Sequence, residues 1–398
     1  MIIALIGFAA VLILAFLRMP LGVALGLVGL VGFSELSSYR AGMSNAARLV
    51  IDSGQSYGLS VVPLFILMGL MVDRGGMAKE LYRAAYAFLG HRRGGLAMST
   101  IVACGMFSAI CGSSLATAAT MSKVSMPEMR RYKYDDSLAT ASIAAGGTLG
   151  ILIPPSVILV IYGLITNASV GKLFIAGVLP GIIGVLFYLA AVMFVVSRNP
   201  AAGPAGEKTN GRDRLIALRD VWTTLGLFIF VIGGIYVGAF TPTEAAGMGA
   251  AGAIAIAYFR GALSLQVLLE VARETTMTTA KLFLVVFGAM IFSNFVNRAG
   301  LPDGLLNIAQ GFDFPPLGVI FMILLIYLVL GCVFESLSMI LLTVPIFAPL
   351  VEGLGFDLIW FGILVVVATE ISLITPPIGM NVFVLKGVLK DVSVQTIF

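Results

Sequence analysis

Two long apolar stretches of this sequence are each interrupted near the middle by a pair of prolines. Pro154-Pro155 follows three glycines within residues 137–165, and Pro376-Pro377 lies within residues 358–388. A proline in the interior of a helix removes a backbone donor and clashes with the carbonyl group four residues earlier. We therefore expect each stretch to fold as a broken helix, with backbone carbonyl groups left free at the break.

The composition indicates that these breaks lie in a membrane. Of the 398 residues, 59% are hydrophobic and 11% are charged, whereas a soluble domain carries about 25% charged residues. The chain is therefore predicted to be a polytopic membrane protein. Lipid cannot hydrogen-bond to free carbonyl groups, so broken backbone at that depth must line a cavity within the protein. Such carbonyl groups suit a hard cation such as Na⁺, and broken helices mark binding sites in transporters.

The two breaks belong to an internal repeat. The separation between the two proline pairs equals that between Pro127 and Pro349, and residues 72–76 resemble residues 296–300 at nearly the same separation. Three landmarks in the same order and at nearly the same spacing predict an internal duplication. The alternative is a chance resemblance between apolar segments that contain Pro-Pro pairs.

Two other apolar stretches, 94–128 and 317–352, are interrupted by short polar segments. Each is either a pair of spans or one re-entrant hairpin whose tip stops part-way through the membrane. A last helix is expected to follow the second repeat, as the span 172–196 follows the first break. With hairpins, the chain divides into N-terminal scaffold spans (1–72), a first repeat (73–197, hairpin 94–128, broken helix 137–165), a cytoplasmic linker (198–220), further scaffold spans (221–296) and a second repeat (297–398, hairpin 317–352, broken helix 358–388).

The distribution of basic residues gives the orientation. If the N-terminus lies outside and both hairpins return to their own side, 20 of the 24 Lys and Arg residues lie on the inner side. Only Arg40, Arg48, Lys172 and Arg298 remain outside, which is a strong positive-inside bias. Five spans then separate residues 72–76 from their counterpart, so the second repeat is inverted. The predicted fold is an all-α polytopic membrane protein of two inverted-topology repeats, with two re-entrant helical hairpins and broken helices.

Two segments on the predicted inner side have distinctive compositions. Residues 198–220 are rich in Pro, Gly and charge, which is typical of a flexible linker between the halves. Residues 77–88 alternate apolar and basic positions, which suits an interfacial helix with Lys79 and Arg83 towards lipid headgroups. An ordinary solvated helix is the alternative for that segment.

The sequence lacks the patterns of an intramembrane enzyme. No His lies in an apolar span, and there is no HExxH motif or pair of aspartates within the spans. There is also no phosphate-binding loop and no dinucleotide glycine pattern. The three cysteines have no metal-ligand spacing, and no segment is typical of nucleic-acid binding. We therefore expect a protein that is not an enzyme and that uses an ion gradient or a partner, with a scaffold as the other alternative.

Polar residues concentrate at the hairpin tips and the helix breaks. Glu335 and Glu370 are the acidic residues placed deepest, and each is expected either to contact an ion or substrate or to form a structural ion pair. Thr375 directly precedes the second proline pair, and its hydroxyl is expected to be free to turn into a cavity. Met380 and Asn381 follow the same break. The clustered hydroxyl groups are those of Ser108, Ser113, Ser114, Ser336, Ser338, Thr369, Ser372 and Thr375.

Three segments together resemble a known family. Residues 107–114 (FSAICGSS), 147–156 (GTLGILIPPS) and 374–381 (ITPPIGMN) resemble the large membrane subunit of TRAP (tripartite ATP-independent periplasmic) transporters. The resemblance covers nearly the whole chain. It implies a multi-pass protein of the bacterial inner membrane and an elevator-type secondary transporter, with Na⁺ as coupling ion and no cofactor. It also implies a small four-helix membrane subunit, a periplasmic substrate-binding protein, and organic-acid substrates such as C4-dicarboxylates, sialic acid or other carboxylates.

The resemblance also implies site residues. One Na⁺ site would use Ser108, Cys111, Gly150, Ile153 and Pro155, and the repeat-related site would use Gly331, Thr369, Ser372, Thr375 and Met380. The candidates for substrate contact are Ser113, Ser114, Glu335, Ser336, Ser338 and Asn381. The family often has Ser where Cys111 stands, which weakens a side-chain role there. The alternative function is a stand-alone ion-coupled carboxylate carrier of related fold, which would work without partner subunits.

Overall fold

The computed structural model describes residues 1–311, 315–332 and 334–398, and helices make up almost all of that part of the chain. No strand occurs in these three segments. The helices are α1 (Ile2–Phe16), α2 (Leu21–Leu36), α3 (Tyr39–Gly54), α4 (Val61–Arg74), α5 (Met77–Leu89), α6 (Gly95–Cys111), α7 (Ser114–Arg131), α8 (Asp136–Thr148), α9 (Val157–Thr166), α10 (Val170–Arg198), α11 (Gly211–Tyr236), α12 (Pro242–Phe259), α13 (Leu265–Arg298), α14 (Leu301–Gly311), α15 (Pro316–Gly331), α16 (Ser336–Gly353), α17 (Leu358–Ser372), α18 (Met380–Val388) and α19 (Val394–Ile397).

Both proline pairs break a helix, as predicted. In the first repeat α8 ends at Thr148 and passes through a short 3₁₀ turn, and α9 begins at Val157. In the second repeat α17 ends at Ser372, and α18 begins after Gly379, whose φ of +58° is a left-handed conformation that glycine adopts without steric cost. Each break leaves several residues of non-helical backbone next to buried helices.

The internal repeat is visible in the helix bounds. Helices α7 and α16 have the same length, and the separation between their first residues equals that between the two proline pairs. The first residues of α8 and α17 are the same number of positions apart. The last residues of α4 and α13 are as far apart in the sequence as the matching residues of the motifs 72–76 and 296–300. The duplication inferred from prolines and a short motif therefore extends to whole helices, which makes a chance resemblance untenable. The inverted orientation of the second repeat remains a prediction from charge.

The two interrupted apolar stretches fold as helical hairpins. Helices α6 and α7 pack against each other and against α8, and Gly112 turns the chain at the tip with a φ of +62°. Helices α15 and α16 also contact each other, and α16 is largely buried. The two arms of each stretch lie side by side, which fits both a re-entrant hairpin and a pair of spans, so the re-entrant hairpins stay a prediction.

The segment 198–220 is more ordered than the flexible linker predicted. Its second half is helical from Gly211 onward. In its first half, the carbonyl of Gly203 accepts a hydrogen bond of 2.8 Å from the amide of Gly94. A Cβ atom at Gly203 would lie 2.9 Å from Val196, so the missing side chain allows this close approach. The small residues that suggested flexibility therefore serve to pack the segment against the ends of α6 and α10.

Within the part of the chain that the structure describes, five helical segments are long and apolar enough to cross a membrane: 57–74 and helices α10, α11, α13 and α16. Ion pairs between distant elements agree with the predicted sidedness. Arg74 pairs with Glu274, Arg260 with Glu80, and Arg130 with Asp391. All six residues fall on the predicted inner side.

Candidate functional site

The tips of the two hairpins meet at one cavity of about 250 Å³. The first tip contributes residues 111–116 and the second contributes residues 335–337. The first helix break contributes Ile151 and Val157. The remaining wall comes from α4, with Gly69 and Asp73 among its residues, and from α13, with Glu274 and Thr278. Two tips that lie far apart in the sequence, one in each repeat, therefore form one site, together with the first of the two breaks.

Three helices begin at this cavity. Ser113 caps α7 by accepting a hydrogen bond from the amide of Ala116, and Ser156 caps α9 in the same way through Leu159. Helix α16 begins at Ser336, directly after Glu335. The first amides of a helix have no partner within the helix, and the helix dipole adds partial positive charge there. The cavity can therefore stabilise an anionic group through backbone donors.

The first break packs tightly against the first hairpin tip. A Cβ atom at Gly150 would lie only 2.6 Å from the Cα atom of Ser114, and one at Gly112 would lie 3.0 Å from the carbonyl oxygen of Pro155. Pro154 and Pro155 have no amide hydrogen, so the carbonyl groups of Gly150 and Ile151 lack the donor that a continuous helix would supply. These oxygens are the kind of ligand that a hard cation requires.

Ser108 and Cys111, which were predicted for the first ion site, lie near the end of α6, the first arm of the first hairpin. The hydroxyl of Ser108 is fully buried and has no hydrogen-bond partner in the described part of the chain. Cys111 ends α6 at the cavity, with its backbone against Gly69. The structure thus brings the tip and the break together, and the Ser108 hydroxyl on the α6 arm is buried without a partner in the described residues.

The second break is joined to the second hairpin in a related way. The backbone of Gly331 lies against the Ser372 side chain so closely that a Cβ atom there would overlap the Ser372 hydroxyl. Ser372 donates a hydrogen bond of 2.5 Å to the carbonyl of Thr369. The thiol of Cys332 lies 3.4 Å from the carbonyl of Pro376. Gly331, Thr369 and Ser372 are thereby close together, and Met380 begins α18 after the break.

Thr375 differs from the expectation. Its hydroxyl does not turn freely into a cavity but donates a hydrogen bond of 2.6 Å to the carbonyl of Ile371 on its own helix. The reason is local geometry: a threonine hydroxyl near the end of a helix reaches the carbonyl four residues earlier. The hydroxyl of Thr369 does the same, at 2.7 Å from the carbonyl of Val365. What Thr375 offers a cation is mainly its own carbonyl group.

Glu370 connects the two repeats. One of its carboxylate oxygens accepts a hydrogen bond of 2.8 Å from the hydroxyl of Ser114 at the first hairpin tip. The other oxygen has no partner in the described segments, and the residue is 4% exposed. A second link between the repeats lies nearby, where the side-chain amide of Asn381 donates a hydrogen bond of 3.2 Å to the carbonyl of Ala144 on α8. No ion pair to Glu370 occurs in the segments described, and contact with an ion or substrate stays a prediction.

Four of the six candidates for substrate contact line the cavity: Ser113, Ser114, Glu335 and Ser336. The other two do not. Ser338 lies one turn into α16, where its hydroxyl is 3.4 Å from the Glu335 carboxylate. Asn381 is buried against α8, because α18 packs onto the first repeat rather than against the second hairpin tip. Neither residue lines this cavity, although Ser338 lies next to Glu335, which does.

Sequence reasoning missed two acidic residues of the cavity wall. Asp73 lies near the end of α4 and accepts a hydrogen bond of 3.1 Å from Thr120 on α7. Glu274 lines the same cavity and pairs with Arg74 at 3.2 Å. Asp73 lies in residues 72–76, the motif that recurs at 296–300 and that served above only to establish the repeat and its orientation. The appearance of that motif in both repeats was the signal that could have marked it as part of the site.

Comparison with known proteins identifies the family. A sequence model of the family described as "Tripartite ATP-independent periplasmic transporter, DctM component" matches residues 8–398. The chain belongs to the TRAP transporter large permeases. The family inferred from the three short segments is therefore confirmed, and so is the expectation that the chain is not an enzyme, since the relatives are named as permeases.

The relatives differ in the substrate that their names give. The chain is 37% identical over 344 residues to the C4-dicarboxylate large permease DctM of Pseudomonas aeruginosa, covering 85% of this chain and 79% of the relative. It is 33% identical to the sialic acid large permease SiaM of Vibrio cholerae (96% and 89% covered). It is 32% identical to the ectoine/5-hydroxyectoine large permease UehC of Ruegeria pomeroyi, with the same coverage.

A solved structure shares the fold. The YdaH transporter of Alcanivorax borkumensis, described as having an unusual topology, superposes with a TM-score of 0.63. The match covers 91% of this chain and 85% of that one at 13% sequence identity. The all-α polytopic fold predicted for this TRAP permease is thus that of a known membrane transporter.

Proposed function

We propose that this TRAP permease imports small organic acids across the bacterial inner membrane, coupled to the entry of Na⁺. The observation that carries the proposal is the meeting of both hairpin tips and a broken helix at one cavity. A periplasmic substrate-binding protein would deliver the acid, and a small four-helix membrane subunit would support the permease, as the tripartite family description implies. The names of the relatives indicate C4-dicarboxylates, sialic acid and ectoine as the first substrates to test.

Sodium is the cation that the two breaks suit. At the first break the carbonyl groups of Gly150 and Ile151 have lost their helical donors. At the second break the carbonyl group of Thr369 and the hydroxyl of Ser372 bring two oxygens together, although the Thr369 carbonyl still accepts the amide of Leu373. Neutral oxygen ligands of this type favour a small hard cation over a transition metal. The described residues contain no group of His, Cys, Asp and Glu that could hold a transition metal.

The acid itself would be held by backbone donors. No Lys, Arg or His is among the described residues that line the cavity, so a carboxylate has no cationic side chain to pair with. The first amides of α7 and α16 offer the alternative, as helix ends do for anionic groups in other transporters. Ser336, the first residue of α16, adds a hydroxyl donor at the same place.

The charges of the cavity supply a reason for coupling. Asp73, Glu274 and Glu335 line it, and the ion pair with Arg74 compensates only Glu274. An anionic substrate entering this cavity alone would be repelled by the remaining carboxylates. Bound Na⁺ at the breaks would offset that repulsion, so cation binding would precede binding of the acid. Movement of the hairpins and breaks as one body against α4 and α13 would then complete an elevator cycle.

Replacing either proline pair with alanines tests the proposal. Ala-Ala at 154–155 or at 376–377 restores amide donors, which allows a continuous helix that uses the carbonyl groups itself. In proteoliposomes that contain the partner subunits, the Na⁺ concentration for half-maximal uptake should rise at least about tenfold in both variants, a loss of roughly 1.4 kcal/mol or more in the apparent affinity for Na⁺. Pro180→Ala within α10 is the control. Unchanged uptake in both double variants would overturn the role of the breaks, and uptake without partners would favour a stand-alone carrier.

A further inference from the structure

A second cavity, of about 510 Å³, lies between α5 and α7 and shares no lining residue with the first. Its α5 wall consists of Lys79, Tyr82, Arg83 and Tyr86. The spacing of these four residues puts them on one face of the helix, because positions three, four and seven apart align. Its α7 wall consists of Lys123, Val124, Pro127 and Glu128.

The cavity is basic. Lys79, Arg83 and Lys123 are exposed, and none of them forms an ion pair within the described part of the chain. The single acidic side chain of the wall, Glu128, lies 3.8 Å from Arg131, which compensates its charge. Three unpaired positive charges therefore face a space large enough for a polar group of several atoms.

The floor of the cavity contains an unused hydrogen-bond donor. Tyr82 is 4% exposed, and its hydroxyl has no partner at full hydrogen-bond distance among residues 1–311, 315–332 and 334–398. Thr100 lies near it, but the Thr100 hydroxyl donates to the carbonyl of Leu96. The neighbouring Tyr86 is different, because its hydroxyl donates to Tyr132 at 3.1 Å and accepts from the amide of Glu207 at 3.2 Å. A buried phenol without a partner is unfavourable unless a ligand supplies an acceptor. A ligand that satisfies Tyr82 and the three cations is an anion with several oxygens.

We propose that this cavity binds the phosphate group of an anionic phospholipid from the cytoplasmic leaflet. Helix α5 buries its apolar face against α6 and α11 and leaves its basic face exposed, so the basic residues are free to meet lipid headgroups. Both walls fall on the predicted inner side, where anionic lipids are attracted by basic residues. Val124 and Pro127 of the α7 wall give an apolar surface beside the charged groups. A lipid offers both groups, whereas free phosphate offers only one.

The position of the cavity connects the lipid to the transport site. Helix α5 leads directly into α6, and α7 is the second arm of the same hairpin, whose tip lines the first cavity. A phosphate held between α5 and α7 would therefore fix the base of that hairpin at the cytoplasmic surface. Anionic lipid should stabilise the folded protein as well as bind to it.

The test compares lipid binding by the purified protein and by variants, using native mass spectrometry and thermal unfolding with phosphatidylglycerol or phosphatidylcholine. Replacing Lys79, Arg83 and Lys123 together with Gln should weaken phosphatidylglycerol binding roughly a hundredfold, since each basic residue near a membrane surface contributes about 1 kcal/mol. Tyr82→Phe should weaken it about threefold to tenfold through loss of one hydrogen bond, without unfolding the protein. The matched control replaces Arg92, Arg93 and Lys208, which are exposed and outside the cavity, with Gln.

Three results would overturn the proposal. An equal loss in the control variant would mean that general surface charge, not the cavity, attracts the lipid. Equal binding of phosphatidylglycerol and phosphatidylcholine by the native protein would remove the role of charge. Stabilisation by millimolar inorganic phosphate that matches the lipid and is lost in the same variants would assign the cavity to a soluble phosphate compound instead. Selective loss of phosphatidylglycerol binding in the cavity variants alone would support the lipid site.

Discussion

The hydroxyl of Ser114 donates a hydrogen bond of 2.8 Å to the carboxylate of Glu370, although the two residues lie 256 positions apart. Ser114 begins α7 at the first hairpin tip, and Glu370 lies near the end of α17, just before the second break. Both are buried. The contact links the ion site predicted in one repeat to that predicted in the other, and it gives Glu370 its hydrogen-bond partner among the side chains described.

Ser114→Ala should therefore destabilise the protein. The change leaves a buried carboxylate without its donor, which costs about 1–3 kcal/mol. A double-mutant cycle with Glu370→Gln, followed by thermal unfolding in detergent, measures the coupling. The matched control is Ser125→Ala, because Ser125 is equally buried on the same helix but donates only to its own helix, at the carbonyl of Met121. Equal effects of the two alanine variants, with no coupling to Glu370, would contradict the link.

Gly150→Ala should disrupt the first break. The added Cβ atom would lie 2.6 Å from the backbone of Ser114, which cannot move aside as a flexible side chain could. We expect a loss of stability of about 1–3 kcal/mol, typical of overpacking, together with a smaller stabilisation by NaCl. Gly387→Ala on α18 is the control, since a Cβ atom there meets no other atom within 4 Å. Normal stability and an unchanged response to NaCl in Gly150→Ala would contradict the close packing.

The helix breaks, the repeat and a shared site of the clustered hydroxyl groups were predictable from the sequence, whereas the individual contacts between the two repeats were not. Proline chemistry is local, so Pro154 and Pro376 mark the breaks without knowledge of the fold. The contact between Ser114 and Glu370 depends on how two distant helices pack, which no local pattern encodes. The prediction that residues 198–220 form a flexible linker failed because small residues favour both flexibility and close packing. Only the neighbouring backbone decides between the two.

Ser108 and Thr375 provide a matched test of the hydroxyl ligands. The hydroxyl of Ser108 has no partner in the described chain, while that of Thr375 is bonded to Ile371. Ser108→Ala should raise the Na⁺ concentration for half-maximal uptake by about fivefold to a hundredfold, as expected for a lost ligand of about 1–3 kcal/mol. Thr375→Val should change it by less than about threefold, since its carbonyl group stays. A larger effect of Thr375→Val than of Ser108→Ala would place the hydroxyl that binds Na⁺ at the second break.

Arg130 holds the C-terminal segment in place. Its guanidinium contacts Asp136 at 3.0 Å and Asp391 at 2.6 Å. The hydrogen bond from Arg130 lowers the pKa of the Asp391 carboxyl below its ordinary value. Because this pKa is lowered, the contact between Arg130 and Asp391 is fully present above the ordinary pKa of an aspartate and is lost only as the pH falls through the lowered pKa. Its contribution should therefore stay constant between about pH 5 and pH 8.

Asp391→Asn should release this segment at neutral pH. Trypsin cleavage after Lys390 should become faster than in the native protein, while Asp213→Asn, an exposed change on α11, should leave the cleavage rate as it is. Hydrogen exchange of residues 391–398 in the native protein should show constant protection over the same pH range, after correction for the intrinsic exchange rate. Loss of protection between about pH 8 and pH 6 would contradict the lowered pKa, because an aspartate remains charged there.

The most direct test of the proposed transport is uptake under defined ion gradients. Proteoliposomes that contain the permease, its membrane subunit and its binding protein would receive labelled succinate, sialic acid or ectoine with an inward gradient of Na⁺, K⁺ or choline. Na⁺-coupled transport predicts accumulation of at least one of these compounds above its external concentration only with the Na⁺ gradient, and loss of that accumulation when a sodium ionophore dissipates the gradient. Accumulation that is equal with K⁺ or choline, or that persists with the ionophore, would contradict it.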